Sequence, residues 1–439
     1  MTMPPEDFST LELARFELRL RARESATLPP FLGSTLRGAF GHALKQTVCV
    51  MPHRDCQRCL VAGRCIYPYL FETPAPQDIP QLRGQQQAPH PFILSPPAPG
   101  SPPASRATPA SFAARPAAVG SSVSAANRAR PTQATPVLRK AATRDPASPV
   151  AAETVAVPSF TPLNAPLNTA RGRPLMPASL GGRGESARRA GPDFAANDKA
   201  APSLDRRLNL GAGDEIAFGL LLMGRAIEYL PYMVYAVSEM SRRGLGADRA
   251  RFELADVFII DARGGKRQVY SGASQRMTTP DDSAIKLSSL IETRLGELRS
   301  AEGFSGDSLA LRFVTPTRIR VEGDLQAGMS FELLVRNLLR RVSLLSAVHG
   351  GAPLELDYRG LIERAATVRT ISSRLGWCDW ERYSNRQQTK MKLGGFIGEI
   401  EYGGEILGEF LSLMVMGEVL HVGGGTSFGL GRLQIGAEA

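Results

Sequence analysis

A histidine in the first predicted helix is the residue best placed for acid–base chemistry. Apolar residues recur at every fourth position across Phe31–Val48, which predicts a helix with one buried stripe. His42 and Lys45 fall on one side of it, and Gly38 and Gly41 would let another chain approach. The histidine could deprotonate a ribose 2′-hydroxyl while the lysine stabilises the phosphorane. A lone helical histidine is more often structural, so both interpretations stay open.

Four of the five cysteines follow this helix within a short stretch. They are Cys49, Cys56, Cys59 and Cys65. Four thiolates can complete the tetrahedral shell of a structural zinc ion, and His53 could replace one ligand. The Cys-x2-Cys element is specific but the outer spacings are irregular, so reduced free cysteines and redox chemistry remain alternatives. Bunched cysteines favour a reducing cytoplasm over a disulfide scaffold.

A glycine-rich run near the end of the sequence, Gly423–Gly431, could bind a phosphate. Its backbone N–H groups are unhindered and could wrap an anion. The candidate contacts are Gly423, Gly424, Gly425, Thr426, Ser427, Gly429 and Gly431. A nucleotide cofactor is excluded, because a Rossmann fingerprint needs a helix after its glycines and a P-loop needs Gly-Lys-Ser/Thr. A tight, crowded connection between a helix and a strand explains the glycines equally well.

Aromatic and basic residues interleave across Trp377–Lys392, a combination that could stack bases and neutralise phosphates of single-stranded or looped RNA. The basic residues are Arg382, Arg386, Lys390 and Lys392. Arg312, Arg318 and Arg320 share one face of a predicted strand, Leu311–Val321. Charge runs usually form a solvated face, but several basic elements in one domain favour RNA.

Length and charge limit the class of protein. The chain has 439 residues, enough for two domains. Its net charge of +10 is concentrated between Thr73 and Arg206, which hold 15 Lys and Arg against 7 Asp and Glu. Within that stretch, Gln81–Ala201 is predicted to be a disordered insertion, because it has too few apolar residues for a core. No apolar stretch reaches the roughly 18 residues of a membrane helix, and no signal peptide is recognisable. We therefore expect a cytoplasmic protein without a membrane partner.

The patterns outside the insertion predict the same order of elements twice. In the first domain, which the insertion interrupts, strands are predicted at Leu11–Leu20, Glu215–Met223, Arg251–Asp261 and Lys266–Tyr270, and helices at Phe31–Val48 and Ala226–Arg243. Within the insertion, Phe92–Leu94 is a candidate for the last ordered strand. In the second, strands are predicted at Leu311–Val321, Ile371–Glu381, Leu393–Tyr402 and Leu430–Ile435, and helices at Met329–His349 and Glu405–Met416. The predicted fold class is therefore α+β, with two tandem ferredoxin-like domains. The predicted boundaries are 1–80 and 206–300 for the two parts of the N-terminal domain, 81–205 for the insertion and 301–439 for the C-terminal domain.

Together, these segments resemble the CRISPR-associated precursor-RNA-processing endoribonucleases of the RAMP superfamily. The resemblance spans nearly all of the foldable chain, and its motifs are specific only in combination. They are Leu28–Lys45, the cysteine cluster leading to Tyr67–Glu72, Phe218–Ala226, Phe313–Arg320, Arg382–Gln387, Gly394–Tyr402 and the closing glycine-rich run.

The resemblance implies metal-independent cleavage of CRISPR repeat RNA, in which a 2′-hydroxyl attacks the adjacent phosphate. The products are a 2′,3′-cyclic phosphate and a 5′-hydroxyl, and no cofactor takes part. It implies His42 as general base or acid, Lys45 and Arg37 as charge-stabilising groups, Tyr67 as a further candidate, and the glycine-rich run as an RNA contact. The implied partners are repeat RNA, crRNA and other CRISPR effector subunits. A non-catalytic RAMP subunit that binds crRNA and a general RNA-binding protein remain the alternatives.

Overall fold

The computed structural model describes residues 8, 10–51, 54–56, 58–98, 207–278, 283–300, 306–384 and 389–436, with the backbone alone for 380–384 and 389–393. The elements of the N-terminal domain are β1 (Glu12–Ala22), β2 (Ala26–Leu28), α1 (Gly33–Val48), β3 (Phe92–Ser95), β4 (Leu208–Leu210), β5 (Glu215–Met223), α2 (Leu230–Arg243), β6 (Phe252–Ile260), β7 (Lys266–Ser271), β8 (Arg276–Met277), β9 (Ile285–Lys286) and α3 (Leu287–Ser300). The central strands form an antiparallel sheet in the order β3-β5-β1-β6, which β7 and β8 extend at one edge. With α1 after β1 and α2 after β5, this is the ferredoxin-like arrangement.

Strand β1 contributes to two hydrophobic cores. Phe16, Leu18 and Leu20 pack with α1 and α2 on one face of the sheet. Leu11 and Leu13 belong to the core of the C-terminal domain instead. Neighbouring residues on a strand point to opposite faces of the sheet. The apolar side chains at odd positions, Leu11 and Leu13, therefore point to the opposite face from those at even positions. The two domains therefore share buried surface at the start of β1.

The C-terminal domain repeats the same arrangement. Its elements are β10 (Ser308–Thr317), β11 (Arg320–Val321), β12 (Asp324–Leu325), α4 (Phe331–His349), α5 (Tyr358–Ala365), β13 (Arg369–Ser384), β14 (Thr389–Gly403), α6 (Leu411–Leu420) and β15 (Leu433–Ile435). Its antiparallel sheet has the order β13-β14-β10-β15. The prediction of an α+β chain with two tandem ferredoxin-like domains is confirmed.

Three details differ from the sequence-based expectation. Composition predicts an insertion from Gln81, but residues 81–98 belong to the N-terminal domain, where Leu82 is buried and β3 pairs with β5. The rest of the predicted insertion, from residue 99 to 201, lies outside the described residues. The predicted strand Leu311–Val321 ends at Thr317, after its register against β14 shifts between Phe313 and Thr317.

Helix α3 is the third difference, since no element is predicted there. Its buried residues include Leu290, Ile291 and Leu295, which pack into the core of the C-terminal domain. Arg294 donates from Nε to Glu418 on α6 over 3.0 Å. The helix therefore attaches the end of the N-terminal domain to the second domain. None of the helices in the described part of the chain is long and apolar enough to cross a bilayer.

Candidate active site

His42 lies on the exposed side of α1, as its position in the helix predicts. Its Nε2 is 2.8 Å from Nε2 of Gln46, one turn further along the helix. Partial burial, followed by the positive charges of Arg243, Arg54 and Arg249, holds the pKa of His42 below its ordinary value. The imidazole is therefore neutral near pH 7 and able to accept a proton.

The three arginines reach His42 from three separate segments. Arg243 ends α2, Arg249 lies in the turn before β6, and Arg54 follows α1. All three are exposed. Only the tertiary structure brings them near one histidine. Their charges suit an anion such as a phosphodiester, because guanidinium groups match phosphate oxygens in shape and charge.

Lys45 lies one turn from His42 on the same side of α1. Its Nζ is 4.9 Å from the ring centroid of Tyr67, and it forms a hydrogen bond with Cys56. Burial works against its charge, but Cys56, Tyr67 and Glu72 outweigh burial and raise the pKa of Lys45. Lys45 is therefore a fixed cation beside the histidine.

The ring of Tyr67 faces the ammonium group of Lys45. The same ring stacks on Phe71 with the centroids 5.3 Å apart and the planes 5° apart. Burial raises the pKa of the Tyr67 hydroxyl. The ring therefore acts through its face, and its hydroxyl is a poor proton acceptor near pH 7.

Arg37, two turns before Lys45, occupies a contact between the two domains. Its Nε donates to Oγ of Ser427 over 3.0 Å, and its Nη2 lies 3.0 Å from Nε2 of His90. Its guanidinium carbon is 4.4 Å from the ring centroid of Phe428 and 5.1 Å from that of Phe71. Arg37 thus joins α1 to the glycine-rich run, and its implied role in charge stabilisation stays a prediction.

The glycine-rich run is a crowded connection between α6 and β15. A Cβ at Gly431 would lie 1.8 Å from the carbonyl oxygen of Val422, and one at Gly33 of α1 would lie 1.9 Å from that of Phe428. Gly423, Gly425, Gly429 and Gly431 all have positive φ. Close packing therefore requires these glycines.

Part of the run remains accessible. Gly424 and Gly425 are exposed and Gly423 is half-buried, whereas Thr426, Ser427, Gly429 and Gly431 are buried. Several N–H groups already have acceptors: Gly424 donates to Arg318, Gly431 to Pro316, and Gly429 to Thr426. A phosphate nest along the whole run is thus wrong. The exposed tip at Gly423–Gly425 is the part that stays a candidate RNA contact.

The basic residues predicted to bind RNA in the C-terminal domain lie in different places. The backbone of Arg318 lies against the glycine-rich run, and Arg320 is exposed on β11. Their predicted common face with Arg312 is wrong, because β10 ends before either residue. Arg386 lies outside the described residues, as do the side chains of Arg382, Lys390 and Lys392 on the hairpin of β13 and β14.

Protein-family models match segments of both domains. A family model described as CRISPR-associated endoribonuclease Cas6 matches residues 311–433. The C-terminal domain of the chain is therefore similar to CRISPR-associated endoribonucleases of the Cas6 family. A second model, described as an N-terminal domain, matches residues 11–113 and 200–282. The first match includes the glycine-rich run, and the second includes α1 with His42.

Individual proteins that match this chain are more distant. An uncharacterized protein of Archaeoglobus fulgidus is 34% identical over 88 residues, which make up 20% of this chain and 28% of that relative. The Thermus thermophilus Cas6 structure is 12% identical with a TM-score of 0.40, covering 97% of this chain and 98% of the other. A structure of an RAMP protein binding different RNA substrates is 10% identical with a TM-score of 0.35, covering 97% and 100%.

The four clustered cysteines are all half-buried and free of disulfides. In the described part of the chain, no group of three or more His, Cys, Asp or Glu side chains is placed to hold a metal ion. Cys56 instead forms a hydrogen bond with Lys45. His53 lies outside the described residues. The structural zinc site at Cys49, Cys56, Cys59 and Cys65 stays a prediction.

Sequence patterns missed His90, which lies beneath Arg37. Nδ1 of His90 is 2.8 Å from Oγ1 of Thr73, and its Nε2 faces Arg37. Because the arginine can only donate, the neutral ring carries its proton on Nδ1. Burial, followed by the charge of Arg37, lowers the pKa of His90 to about 3. No local signal marks this residue, since its partners come from distant positions.

We expect acid to destabilise the protein through His90. Its pKa is about 3 in the folded chain and about 6.5 when unfolded. Its stabilising contribution is therefore complete above pH 6.5 and is lost as the pH falls towards 3, with a slope of about 1.4 kcal/mol per pH unit. Urea denaturation between pH 7 and pH 4 measures this slope, which should be flatter in His90→Gln. Equal slopes in the two proteins would contradict the assignment.

Two glycines of α1 provide a matched test of its two sides. A Cβ at Gly38 would meet nothing within 4 Å, whereas one at Gly41 would lie 2.6 Å from the ring of Phe71. Gly41 therefore packs inward, and only Gly38 leaves the surface beside His42 open. We expect Gly38→Ala to raise the free energy of unfolding by about 1 kcal/mol and Gly41→Ala to lower it, both measured by urea denaturation. A loss in Gly38→Ala would show that its surface is covered.

Proposed function

We propose that this protein is a metal-independent endoribonuclease that cleaves CRISPR repeat RNA and produces mature crRNA. The observation that carries the proposal is the neutral, exposed imidazole of His42 beside the cation of Lys45 and the arginines Arg54, Arg243 and Arg249. A base next to several fixed cations suits transfer of a phosphoryl group without a metal ion. The family description, CRISPR-associated endoribonuclease Cas6, supports the same substrate class.

His42 acts as the general base in this proposal. Its neutral nitrogen accepts the proton of a ribose 2′-hydroxyl, and the oxygen then attacks the adjacent phosphorus. The bond from phosphorus to the 5′-oxygen breaks, and the leaving oxygen takes a proton from solvent. The products are a 2′,3′-cyclic phosphate and a 5′-hydroxyl. Lys45 and the neighbouring arginines stabilise the charge that develops on the phosphorane.

The glycine-rich run contributes to binding. Its exposed tip, Gly423–Gly425, allows an RNA backbone to approach closely, since no side chains intervene. Arg37 and Ser427 hold the run against the first turns of α1. RNA bound at the tip therefore lies at the end of the helix that carries His42.

Incubation of the purified protein with repeat RNA in excess EDTA tests the proposal. Where a CRISPR array adjoins the coding region, its repeat supplies the RNA. We expect cleavage at one position, with a cyclic phosphate on the 5′ fragment. A substrate with a 2′-deoxy sugar at that position should stay intact. Tight binding without any product would sink the proposal and favour a non-catalytic RAMP subunit. Equal binding of scrambled RNA would favour a general RNA-binding protein.

A further inference from the structure

An arginine-lined cavity lies at the end of the N-terminal sheet. It has a volume of about 380 Å³ and is lined by Arg23, Arg242, Arg251 and Phe252. Arg23 follows β1, Arg242 lies in the last turn of α2, and Arg251 precedes β6. Three separate elements thus bring guanidinium groups to one concave place.

The carboxylates that pair with these guanidinium groups bind them only weakly. The ion pairs are Arg23 with Glu253 at 3.6 Å, Arg251 with Glu24 at 3.6 Å, and Arg242 with Glu239 at 3.2 Å. The arginine side chains remain 65%, 68% and 70% exposed. Ion pairs at this level of exposure stabilise a protein little. A phosphate can therefore replace the carboxylates, because its oxygens accept the paired N–H donors of guanidinium in the same geometry.

Two exposed tyrosines lie on the outer side of α2, closer to the start of the helix than the cavity is. Tyr232 and Tyr235 are 48% and 56% exposed, and one helical turn separates them. Tyr235 and Arg242 are two turns apart on the same side of the helix, about 10 Å along its axis. Exposed aromatic rings beside arginines are typical of surfaces that bind single-stranded RNA, since bases stack on the rings.

Two arginines of the cavity neighbour, in the chain, two of the arginines around His42. Arg243 follows Arg242, and Arg249 lies two residues before Arg251. Both Arg243 and Arg249 lower the pKa of His42. The same two chain segments therefore contribute positive charge to the cavity and to the surroundings of His42.

We propose that Arg23, Arg242 and Arg251, together with Tyr232 and Tyr235, form an RNA-binding surface for the single strand that flanks the cleavage point. This surface, the α2 surface, binds phosphates in its cavity and stacks bases on its tyrosines. The inference rests on the proposed function for the identity of the RNA. RNA fits the combination because its phosphates pair with the guanidinium groups and its bases stack on the exposed rings, whereas a protein partner is one of the outcomes of the test below.

Fluorescence anisotropy with a labelled single-stranded RNA of mixed sequence, about 12 nucleotides long, tests the α2 surface. In Arg23→Gln/Arg251→Gln, the slope of log Kd against log salt should shrink by about 1.4, since each lost phosphate contact removes about 0.7. In Tyr232→Ala/Tyr235→Ala, affinity should fall about 10-fold or more at an unchanged slope. Tyr232→Phe/Tyr235→Phe should bind as the wild type does, because the rings remain.

Arg359→Gln is the matched control. Arg359 is 90% exposed on α5 and paired with Glu363, but it lies on the other domain. It should leave both affinity and slope unchanged. Variants of the α2 surface that behave like this control would overturn the inference, as would a protein partner whose binding they abolish while RNA binding is retained.

A small-anion site is the remaining competing outcome. If inorganic phosphate occupies the cavity with the same affinity in the tyrosine variants and RNA binding does not change, the surface is not an RNA site. The probe contains no repeat sequence, so these results do not depend on cleavage. A wild-type protein that binds the probe through the α2 surface but never cuts repeat RNA would sink the proposed function alone.

Discussion

His42→Ala is expected to slow cleavage of repeat RNA by about 100- to 10,000-fold, the range over which a positioned general base accelerates proton transfer. RNA affinity should change little, because the imidazole is neutral and the surrounding cations remain. Single-turnover cleavage under excess enzyme measures the rate, and anisotropy with a 2′-deoxy substrate measures binding. A variant that retains the wild-type rate would remove His42 from the chemistry.

Gln46→Ala is the control on the same helix. The Gln46 side chain contacts His42 Nε2 and orients the ring without taking part in proton transfer. Its loss should reduce the rate much less than the loss of the imidazole. A Gln46→Ala rate as low as that of His42→Ala would instead mean that the region tolerates no change.

The pH dependence of the same reaction supplies an independent check. Burial and three arginines hold the pKa of His42 below its ordinary value, so the acid limb of kcat/KM should have its midpoint below about pH 6.5. Arg243→Gln removes one of these charges and should move the acid limb to higher pH. Arg359→Gln, on the other domain, should not move it.

Gly431→Ala is expected to have the largest effect on stability, a loss of about 3 to 5 kcal/mol in the free energy of unfolding. Two effects add at this position. Its φ of 71° disfavours a residue with a side chain, and its Cβ would lie 1.8 Å from a backbone oxygen of Val422. Urea denaturation of the full chain measures the loss.

Two other glycines separate these effects. Gly436 has a φ of 93° but nothing within 4 Å of a Cβ, so Gly436→Ala reports the backbone contribution alone, about 1 to 2 kcal/mol. At Gly424 a Cβ would lie 3.6 Å from the oxygen of Arg318, an ordinary contact. Gly424→Ala should therefore change stability by less than about 0.5 kcal/mol. Near-equal losses at Gly424 and Gly431 would contradict the crowding.

In both domains, the order of helices and strands could be predicted from local sequence patterns. The stripe of apolar residues along α1 and the alternation along β1 predict their type, because burial repeats with the geometry of each element. No element is predicted at α3, although its buried leucines also recur at helical spacing. Local pattern failed at Leu311–Val321, where the strand ends at Thr317 although the apolar alternation continues.

Only part of the candidate site could be predicted from the sequence. The position of His42 on an open side of α1 follows from helical periodicity. The arginines around it do not, since Arg54, Arg243 and Arg249 belong to segments far apart in sequence. Arg37 shows the same limit, because its partner Ser427 lies 390 positions away. A basic residue on a helix predicts a charge, and only the contact decides whether that charge binds a substrate or joins two domains.

Residue order therefore determined the helices, most of the strands and the candidate base, since these depend on neighbours within a few positions. Tertiary structure decided which cations surround that base and why the closing glycines are needed. The run Gly423–Gly431 has the composition of a phosphate cradle, yet carbonyl groups of Val422 and Arg318 occupy the space beside its glycines. Local pattern contains no information about that space, because only folding brings the Arg318 segment against the run and turns the run back onto the Val422 carbonyl.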